Sequence, residues 1–377
     1  MSDLLSAVNR ARILVCCGSG GVGKTTVSAA LGLYGALTGR KTLVMTLDPA
    51  RRLADALGLD PESREANRVP LERLASLGVH PAGTLHALIP DTARTFDRLI
   101  ERHVGSRRVR EKILGNRYYR ALSADLAGSH EYMAAERLYE IHRTREYDLI
   151  VLDTPPSRRA LDFLDAPRRL SNLLGDSLLW KFVRPAARTG FLGLQAMNAA
   201  TAPIQKVIGE LLGIGVYREI ADFLALGDEV FFEGFRRRAK AVERLLGGRD
   251  ALFLAVIGPA PGPMGEGLYL HERLTRNRMP FGGFVVNRIH PIYDAAGTEN
   301  APADFPTELR ERMARARRWL EKRGAADREA LETLRAAAGP EVPIHPVPNL
   351  GPDVHDLPGL LRIYDAIKAG GTISIPG

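Results

Sequence analysis

Cysteine is scarce in this chain of 377 residues, and so are tryptophan and lysine. The two cysteines are adjacent, Cys16 and Cys17, so no C-x-x-C pair exists and no zinc site of that kind is expected. Both thiols lie at the end of an apolar run. We expect them to be buried, in a protein of a reducing compartment.

Long apolar runs are also lacking. No stretch of about twenty apolar residues could span a bilayer, and residues 1–12 have no apolar signal core. We expect a cytoplasmic protein with at most transient membrane contact. The net charge of +8 comes almost entirely from arginine. The arginine clusters lie among acidic residues without interleaved aromatics, which favours solvated helix faces over a nucleic-acid groove.

The most informative segment that is present is a complete G-x-x-x-x-G-K-T phosphate loop. It lies between an apolar run and a helical pattern. Glycines let successive backbone N–H groups approach a di- or triphosphate, Lys24 would reach the β- and γ-phosphates, and Thr25 would bind Mg²⁺. The candidate nucleotide-binding residues are Gly18, Ser19, Gly20, Gly21, Val22, Gly23, Lys24, Thr25 and Thr26.

Two acidic residues each end an apolar run. Asp153 follows residues 149–152, as expected of a buried strand that carries an acid to the edge of the sheet beside the phosphate loop. We predict that it holds Mg²⁺, through water. Asp48 ends a second such run, and we predict that it orients the attacking water during hydrolysis.

The order of the apolar runs predicts an α/β fold of the P-loop NTPase type, with a mostly parallel sheet and helices on both faces. Strands are predicted at residues 13–17, 42–47, 149–152, 252–257, 284–286 and 342–347. We interpret residues 1–370 as a single domain with helical insertions at about 91–145 and 161–247.

The second insertion is rich in large apolar residues between positions 173 and 235, among them Trp180, Phe182 and Met197. Two interpretations stay open here. The segment forms either ordinary core helices or a hydrophobic groove for an apolar client.

Several motifs together resemble those of the anion-transporting ATPase family, which includes the arsenite-pump ATPase and the targeting factor for tail-anchored membrane proteins. The segments are the phosphate loop, Asp48-Pro49-Ala50-Arg51-Arg52-Leu53 as switch I, and Asp153-Thr154-Pro155-Pro156 as switch II. Residues 127–133, 285–287 and 347–350 are also similar to family segments, so the resemblance extends through nearly the whole chain.

The resemblance implies an ATPase that uses ATP and Mg²⁺. Lys24 and Asp48 would be catalytic, Thr25 and Asp153 would serve the metal, and Asn287 and Pro348 would contact adenine. It also implies dimers that close around nucleotide and handle a hydrophobic client, and it therefore favours the groove.

The chain departs from the family at Ser19, where the family has a lysine that reaches the partner's phosphates. Three explanations stay open: a heterodimer with a paralogous subunit that keeps the lysine, a substitute cation from Arg51, Arg158 or Arg159, or an ordinary phosphate loop. If the cation is missing, a lone subunit would hydrolyse ATP slowly. Switch II also departs, with Ser157-Arg158-Arg159 in place of the usual residues.

Two other functions compete with client handling. An arsenite-efflux motor subunit would need clustered thiols, which the chain lacks. A positioning switch of the MinD and ParA kind would need a terminal membrane helix or a basic DNA-binding face. Residues 358–368 are amphipathic but short and of mixed charge, so we predict a packed terminal helix instead.

Overall fold

The computed structural model describes residues 4–47, 52–57, 65–115, 129–156, 165, 229–290, 305–351, 354 and 356–369. The chain divides into two compact units. The first comprises Met1–Ile89, Arg145–Ala160 and Leu246–Gly377, and the second comprises Pro90–Thr144 and Leu161–Leu245. Asp48, Arg51 and most of the second predicted insertion lie outside the described residues. The single-domain organisation of residues 1–370 stays a prediction.

The first unit is built on one eight-stranded sheet. Its order is β3-β4-β2-β5-β1-β6-β7-β8, and every neighbouring pair is parallel except β3 with β4. This confirms the predicted α/β fold of the P-loop NTPase type. The strands are β1 (Ile13–Gly18), β2 (Lys41–Thr46), β3 (Asn67–Arg68), β4 (Thr84–Leu88), β5 (Leu149–Asp153), β6 (Ala251–Ile257), β7 (Phe281–Ile289) and β8 (Ile344–Pro348).

Helices connect and cover these strands. In chain order, the described α-helices are α1 (Leu4–Arg10), α2 (Lys24–Leu37), α3 (Arg52–Leu57), α4 (Thr92–His103), α5 (Arg107–Gly115), α6 (Ser129–Thr144), α7 (Glu229–Leu246), α8 (Pro261–Arg276), α9 (Thr307–Ala338) and α10 (Leu357–Lys368). A 3₁₀ helix occupies Leu71–Leu77.

The central strands are almost entirely apolar because helices cover both of their faces. Every residue of β1 and β5 is buried. Helix α2 packs very closely on this sheet, since a Cβ at Gly32 would lie only 2.3 Å from Cγ2 of Val44. The terminal helix α10 then packs on α2, as predicted, with Tyr34 and Tyr364 stacked at a centroid distance of 5.9 Å.

Arg40 lies at the end of the sheet where the central strands β1 and β5 begin. Its guanidinium donates hydrogen bonds to the carbonyl oxygens of Val8 at 3.0 Å, Ala11 at 2.6 Å and Asp148 at 2.6 Å. Burial lowers the pKa of Arg40, and the nearby Asp148 carboxylate opposes that shift. The N-terminal helix and two central strands are therefore held by one side chain.

The predicted strands agree with the structure in place, with ends that move by a few residues, but the sequence interpretation missed β3 and β4. Strand β4 is a five-residue run, Thr-Leu-His-Ala-Leu, without a clear alternation or a carboxylate at its end. It is a strand because β2 pairs with it over its whole length.

The described part of the second unit is helical. Arg238 of α7 forms an ion pair with Glu136 of α6, with Nε and Oε1 3.0 Å apart, and Tyr132 donates to the other carboxylate oxygen at 3.1 Å. Burial raises the pKa of Glu136 and of Tyr132, although Arg238 opposes both shifts. This part of the unit thus contains a buried ion pair, Glu136–Arg238, rather than a purely apolar contact.

Candidate nucleotide-binding site

The phosphate loop connects the end of β1 to the start of α2. Gly18, the last residue of β1, has φ 150°, and a Cβ there would lie 1.8 Å from the carbonyl oxygen of Val256 on β6. No side chain fits at that distance. The close approach of β6 therefore fixes glycine at the entrance of the loop.

Gly21 and Gly23 take the left-handed conformation, with φ 75° and 88°. Within the part of the chain that the structure describes, no backbone group accepts from the N–H groups of Gly20, Gly21, Val22 or Gly23. Successive unsatisfied N–H groups at the start of a helix form a site for an anion. The loop thus fits the phosphates of a nucleotide.

Lys24 begins α2 and lies inside the loop. Its side chain is 8% exposed, and Nζ donates to the carbonyl oxygen of Ser19 at 2.6 Å. This contact holds the ammonium group against the backbone of the loop. A buried positive charge of this kind is stabilised by an anion. The placement of Lys24 agrees with the predicted role on phosphate, which stays a prediction.

Three side chains meet at the carboxyl edge of the sheet. Oδ2 of Asp153 accepts from Thr25 Oγ1 at 2.8 Å and from Thr46 Oγ1 at 3.0 Å. Asp153 is fully buried, at the end of β5, while Thr46 ends β2 and Thr25 lies in the first turn of α2. The structure thus brings the two predicted Mg²⁺ residues, Thr25 and Asp153, within hydrogen-bond distance. Hydroxyl and carboxylate oxygens are ligands that Mg²⁺ prefers, directly or through water, so the residues fit this ion.

The segment after Asp153 lies along the end of β1. Thr154 donates to the carbonyl oxygen of Cys16 from both its N–H, at 3.2 Å, and its hydroxyl, at 2.9 Å. Cys16 and Cys17 are both buried and unoxidised, as predicted. Burial raises the pKa of both thiols, that of Cys17 to about 12.

Asn287 and Arg288 approach the phosphate loop from β7. Asn287 Nδ2 donates to the carbonyl oxygen of Val22 at 2.8 Å, and Arg288 Nη1 donates to that of Gly21 at 3.4 Å. The pairing of β7 with β8 is irregular between Val286 and Ile289, and Arg288 has φ 65°. This irregularity directs two consecutive side chains to one loop. Sequence reasoning missed Arg288, because no local sequence pattern predicts an irregular strand pairing.

The adenine contacts predicted for Asn287 and Pro348 stay predictions. Pro348 is buried at the end of β8, and the following N–H, that of Asn349, donates to the carbonyl oxygen of Ile289 at 2.8 Å. The ends of β7 and β8 are thus joined beside the loop. The contact with Val22 uses one of the two amide hydrogens of Asn287, and among the described residues this side chain has no second hydrogen-bond partner.

Ser19 is 4% exposed, and within the described chain its hydroxyl has no hydrogen-bond partner. Arg51, Arg158 and Arg159, the substitute cations considered for this position, lie outside the described residues. Asp48, the predicted water-orienting residue, also lies outside them, one position beyond the described Leu47.

The glycine loop, the buried Lys24 and the Thr25–Asp153 pair, placed at the carboxyl edge of a parallel sheet, define a P-loop nucleoside-triphosphate-binding domain. The family model of anion-transporting ATPases matches residues 11–211, more than half of the chain. The chain belongs to the anion-transporting ATPase family.

Individual relatives support this assignment. A putative arsenical pump-driving ATPase of Aquifex aeolicus is 30% identical over 41% of this chain and 38% of its own length. ATPase GET3 of Komagataella phaffii is 31% identical over 42% of this chain and 45% of its own length. The match therefore spans less than half of these two relatives. An uncharacterised protein of Streptomyces coelicolor is 29% identical over 86% of this chain and 72% of its own. Among the described residues, no helix has the length and apolarity to cross a membrane.

Proposed function

We propose that this protein hydrolyses ATP with Mg²⁺. The observation that carries the proposal is the buried Asp153 carboxylate, which holds the hydroxyl groups of Thr25 and Thr46 beside a loop whose N–H groups at residues 20–23 have no backbone acceptor among the described residues. A site that only bound phosphate would not need a buried carboxylate, because a negative charge near phosphate is unfavourable without a cation.

Each residue then has a physical task. The N–H groups of residues 20–23 and Lys24 bind the phosphates and neutralise charge, while Asp153 and Thr25 would hold Mg²⁺, Asp153 through water. When bound, Mg²⁺ would supply electrostatic stabilisation of the phosphates during hydrolysis. Asp48 would orient the attacking water, and Asn287 with Pro348 would select adenine.

We further propose that nucleotide-driven dimer closure handles a hydrophobic client, such as a tail-anchored membrane segment. The support is the apolar composition of residues 173–235, together with a relative named ATPase GET3. The dimer is formed either with a second copy or with a paralogous subunit. Arsenite efflux is less favoured, although another relative is named for it, because both cysteines are buried at 0% exposure.

Phosphate release by the purified full-length chain tests the hydrolysis. We expect Mg²⁺-dependent turnover that falls at least a hundredfold in Thr25→Ala and Asp48→Asn. Glu146→Gln is the matched control, because it makes the same kind of change at an exposed carboxylate that pairs with Lys41. Equal turnover in all variants would refute the assignment of the site. Turnover that appears only after a paralogue is added would favour the heterodimer.

Co-expression with a single-span membrane segment tests the client. We expect the segment to co-purify with the wild-type protein and to be released from it in a nucleotide-dependent manner. Retention that does not respond to ATP, or no retention at all, would contradict client handling while leaving the hydrolysis intact.

A further inference from the structure

Helix α9 has two halves with different surroundings. Gly324, Asp327 and Leu334 of the second half are buried, whereas no residue from Thr307 to Arg323 is buried. Asp327 anchors the second half by accepting from both the backbone N–H and the ring of His290, each at 2.8 Å. The first half, residues 307–323, extends about 25 Å at 1.5 Å per residue. Near its end, Trp319 contacts the ring of His290 edge-on, with a centroid distance of 5.9 Å.

The first half nevertheless carries a regular apolar pattern. Leu309, Met313, Ala316 and Leu320 follow each other at spacings of four, three and four residues, which places them in one row along the helix. Leu309 is 40% exposed and Met313 is 43% exposed. We call these four residues the open row. Counted along the helix, the row continues through Gly324, Asp327 and Leu334, the positions that are buried further on.

Basic residues predominate around the open row. At 3.6 residues per turn, the flanking positions are Arg310, Arg312, Arg317 and Arg323. Among the acidic residues of this half, Glu311 pairs with Arg315, and Glu321 pairs with the flanking Arg317 at 2.8 Å. The charge beside the row therefore comes mainly from Arg310, Arg312 and Arg323. Residues 307–323 hold seven basic and three acidic residues, a net charge of +4.

A narrow row with spacings of three and four suits another helix, because knobs-into-holes packing needs only such a row. A bilayer surface is contacted by helices with a broad apolar face, whereas alanine occupies the middle of this row. A second copy of α9 would place arginine against arginine across the row, which is repulsive. A helix whose apolar row is flanked by acidic residues would be complementary both to the open row and to the arginines beside it.

We propose that the open row of α9 is a docking site for an amphipathic helix of a different polypeptide, one whose apolar row is flanked by aspartate or glutamate. The site goes beyond the proposed ATPase activity, since neither the phosphate loop nor bound nucleotide takes part in it. It would give the protein a partner that is selected by charge and is not another copy of itself.

A binding experiment on the full-length protein tests this. The probe is a fluorescein-labelled synthetic helical peptide of about 21 residues, or three heptads, with leucine in the row and glutamate at the flanks. Its counterpart has lysine in place of each glutamate. By anisotropy, we expect the acidic peptide to bind at least tenfold more tightly than the basic one, and more weakly as salt is raised. Met313→Glu should weaken this binding at least tenfold.

Charge reversal at the flanks supplies the sharper comparison. Arg312→Glu with Arg323→Glu should reverse the preference between the two peptides. Arg318→Glu with Lys322→Glu makes the same change of charge on the opposite side of the helix, and should leave the preference within about twofold. All these positions are exposed, so circular dichroism and urea unfolding should match the wild type.

Three results would overturn the proposal. The first is equal or absent binding of the two peptides by the wild type. The second is a homo-oligomer in sedimentation that Met313→Glu dissociates, which would assign the row to a second copy. The third is binding to vesicles containing phosphatidylserine without binding to the acidic peptide. None of these depends on hydrolysis, so failure here is distinguishable from failure of the proposed function.

Discussion

The amide of Asn287 and the carbonyl oxygen of Val22 are 2.8 Å apart, although 265 positions separate the two residues in the chain. This hydrogen bond connects β7 to the phosphate loop at the point where the loop turns into α2. It also sets the space available at the next residue, because a Cβ at Gly23 would lie 2.3 Å from Asn287 Nδ2. The loop is therefore shaped from outside as well as by its own glycines.

Gly23→Ala should cost more than Gly21→Ala. Both residues have positive φ, so both substitutions strain the backbone by about 1 to 2 kcal/mol. At Gly21, nothing lies within 4 Å of the added Cβ, whereas at Gly23 Asn287 must move and lose its bond to Val22. We expect the free energy of unfolding, measured with urea, to fall by about 1 kcal/mol more in Gly23→Ala than in Gly21→Ala. Equal losses would mean that Asn287 does not constrain the loop.

Asp153→Asn should uncouple nucleotide affinity from Mg²⁺. The carboxylate is buried and accepts two hydroxyl groups, so its charge is balanced best when a cation is near. Titration with a fluorescent ATP analogue should show that Mg²⁺ tightens binding to the wild type at least tenfold and binding to the variant less than twofold. Thr46→Val is the control, since it keeps the charge and removes one hydroxyl. The same Mg²⁺ dependence in Asp153→Asn would rule out the metal assignment.

Arg288→Gly should be more stable than Arg288→Ala, and both should weaken nucleotide binding. Arg288 has φ 65°, and glycine relieves about 1 kcal/mol of strain there. Its guanidinium donates to Gly21, so its loss should lower affinity for ATP several-fold. Arg288→Ala keeps the strain and loses the same contact. If both variants bind ATP as the wild type does, the arginine has no part in the site.

The buried thiols should make stability fall at alkaline pH. The pKa of each thiol is raised above 9.0 in the folded protein, that of Cys17 to about 12, so the folded state keeps protons that the unfolded state loses. The contribution of the protonated thiols to the free energy of unfolding is fully present below pH 9 and is lost as pH rises toward 12. Each thiol adds a slope of about 1.4 kcal/mol per pH unit to the free energy of unfolding.

Urea unfolding between pH 8 and 11 measures that slope, and Cys16→Ala with Cys17→Ala should flatten it. Ellman's reagent gives an independent check at pH 8. It should modify both thiols after unfolding and neither one before. Rapid labelling of the native protein would contradict their burial.

The Glu136–Arg238 pair should show strong coupling in a double-mutant cycle. Glu136→Met or Arg238→Met alone leaves a buried charge without its partner, which costs about 3 kcal/mol or more. The double variant places two apolar side chains together and should be close to the wild type in stability, measured by urea unfolding. Additive losses would mean that the two residues act separately.

Local patterns sufficed for the strands that approach the nucleotide site. The apolar runs before Gly18 and Asp153 have the composition of strands buried on both faces, and the glycine spacing has a direct physical cause. Thr25 and Asp153 could be placed together because carboxyl ends of parallel strands share one edge of the sheet. Thr46, which completes this group, lies within the strand predicted at 42–47 and was missed because a threonine there is not distinctive.

Contacts between distant residues were beyond sequence reasoning. Arg288 reaches the loop through an irregular strand pairing, and β4 is a strand only because β2 pairs with it. Arg238 belongs to an arginine cluster that predicts a solvated face, yet it is paired with a buried carboxylate on another helix. In each case a tertiary contact decided what local composition left open.

Arg40 has a consequence for how the sequence can vary. Its three acceptors, at Val8, Ala11 and Asp148, are all backbone carbonyl oxygens, which every amino acid supplies. Substitutions at those three positions leave the acceptors in place, whereas only a side chain with the reach and several donors of arginine can serve all of them. For these three hydrogen bonds, the constraint on side-chain identity therefore falls on position 40.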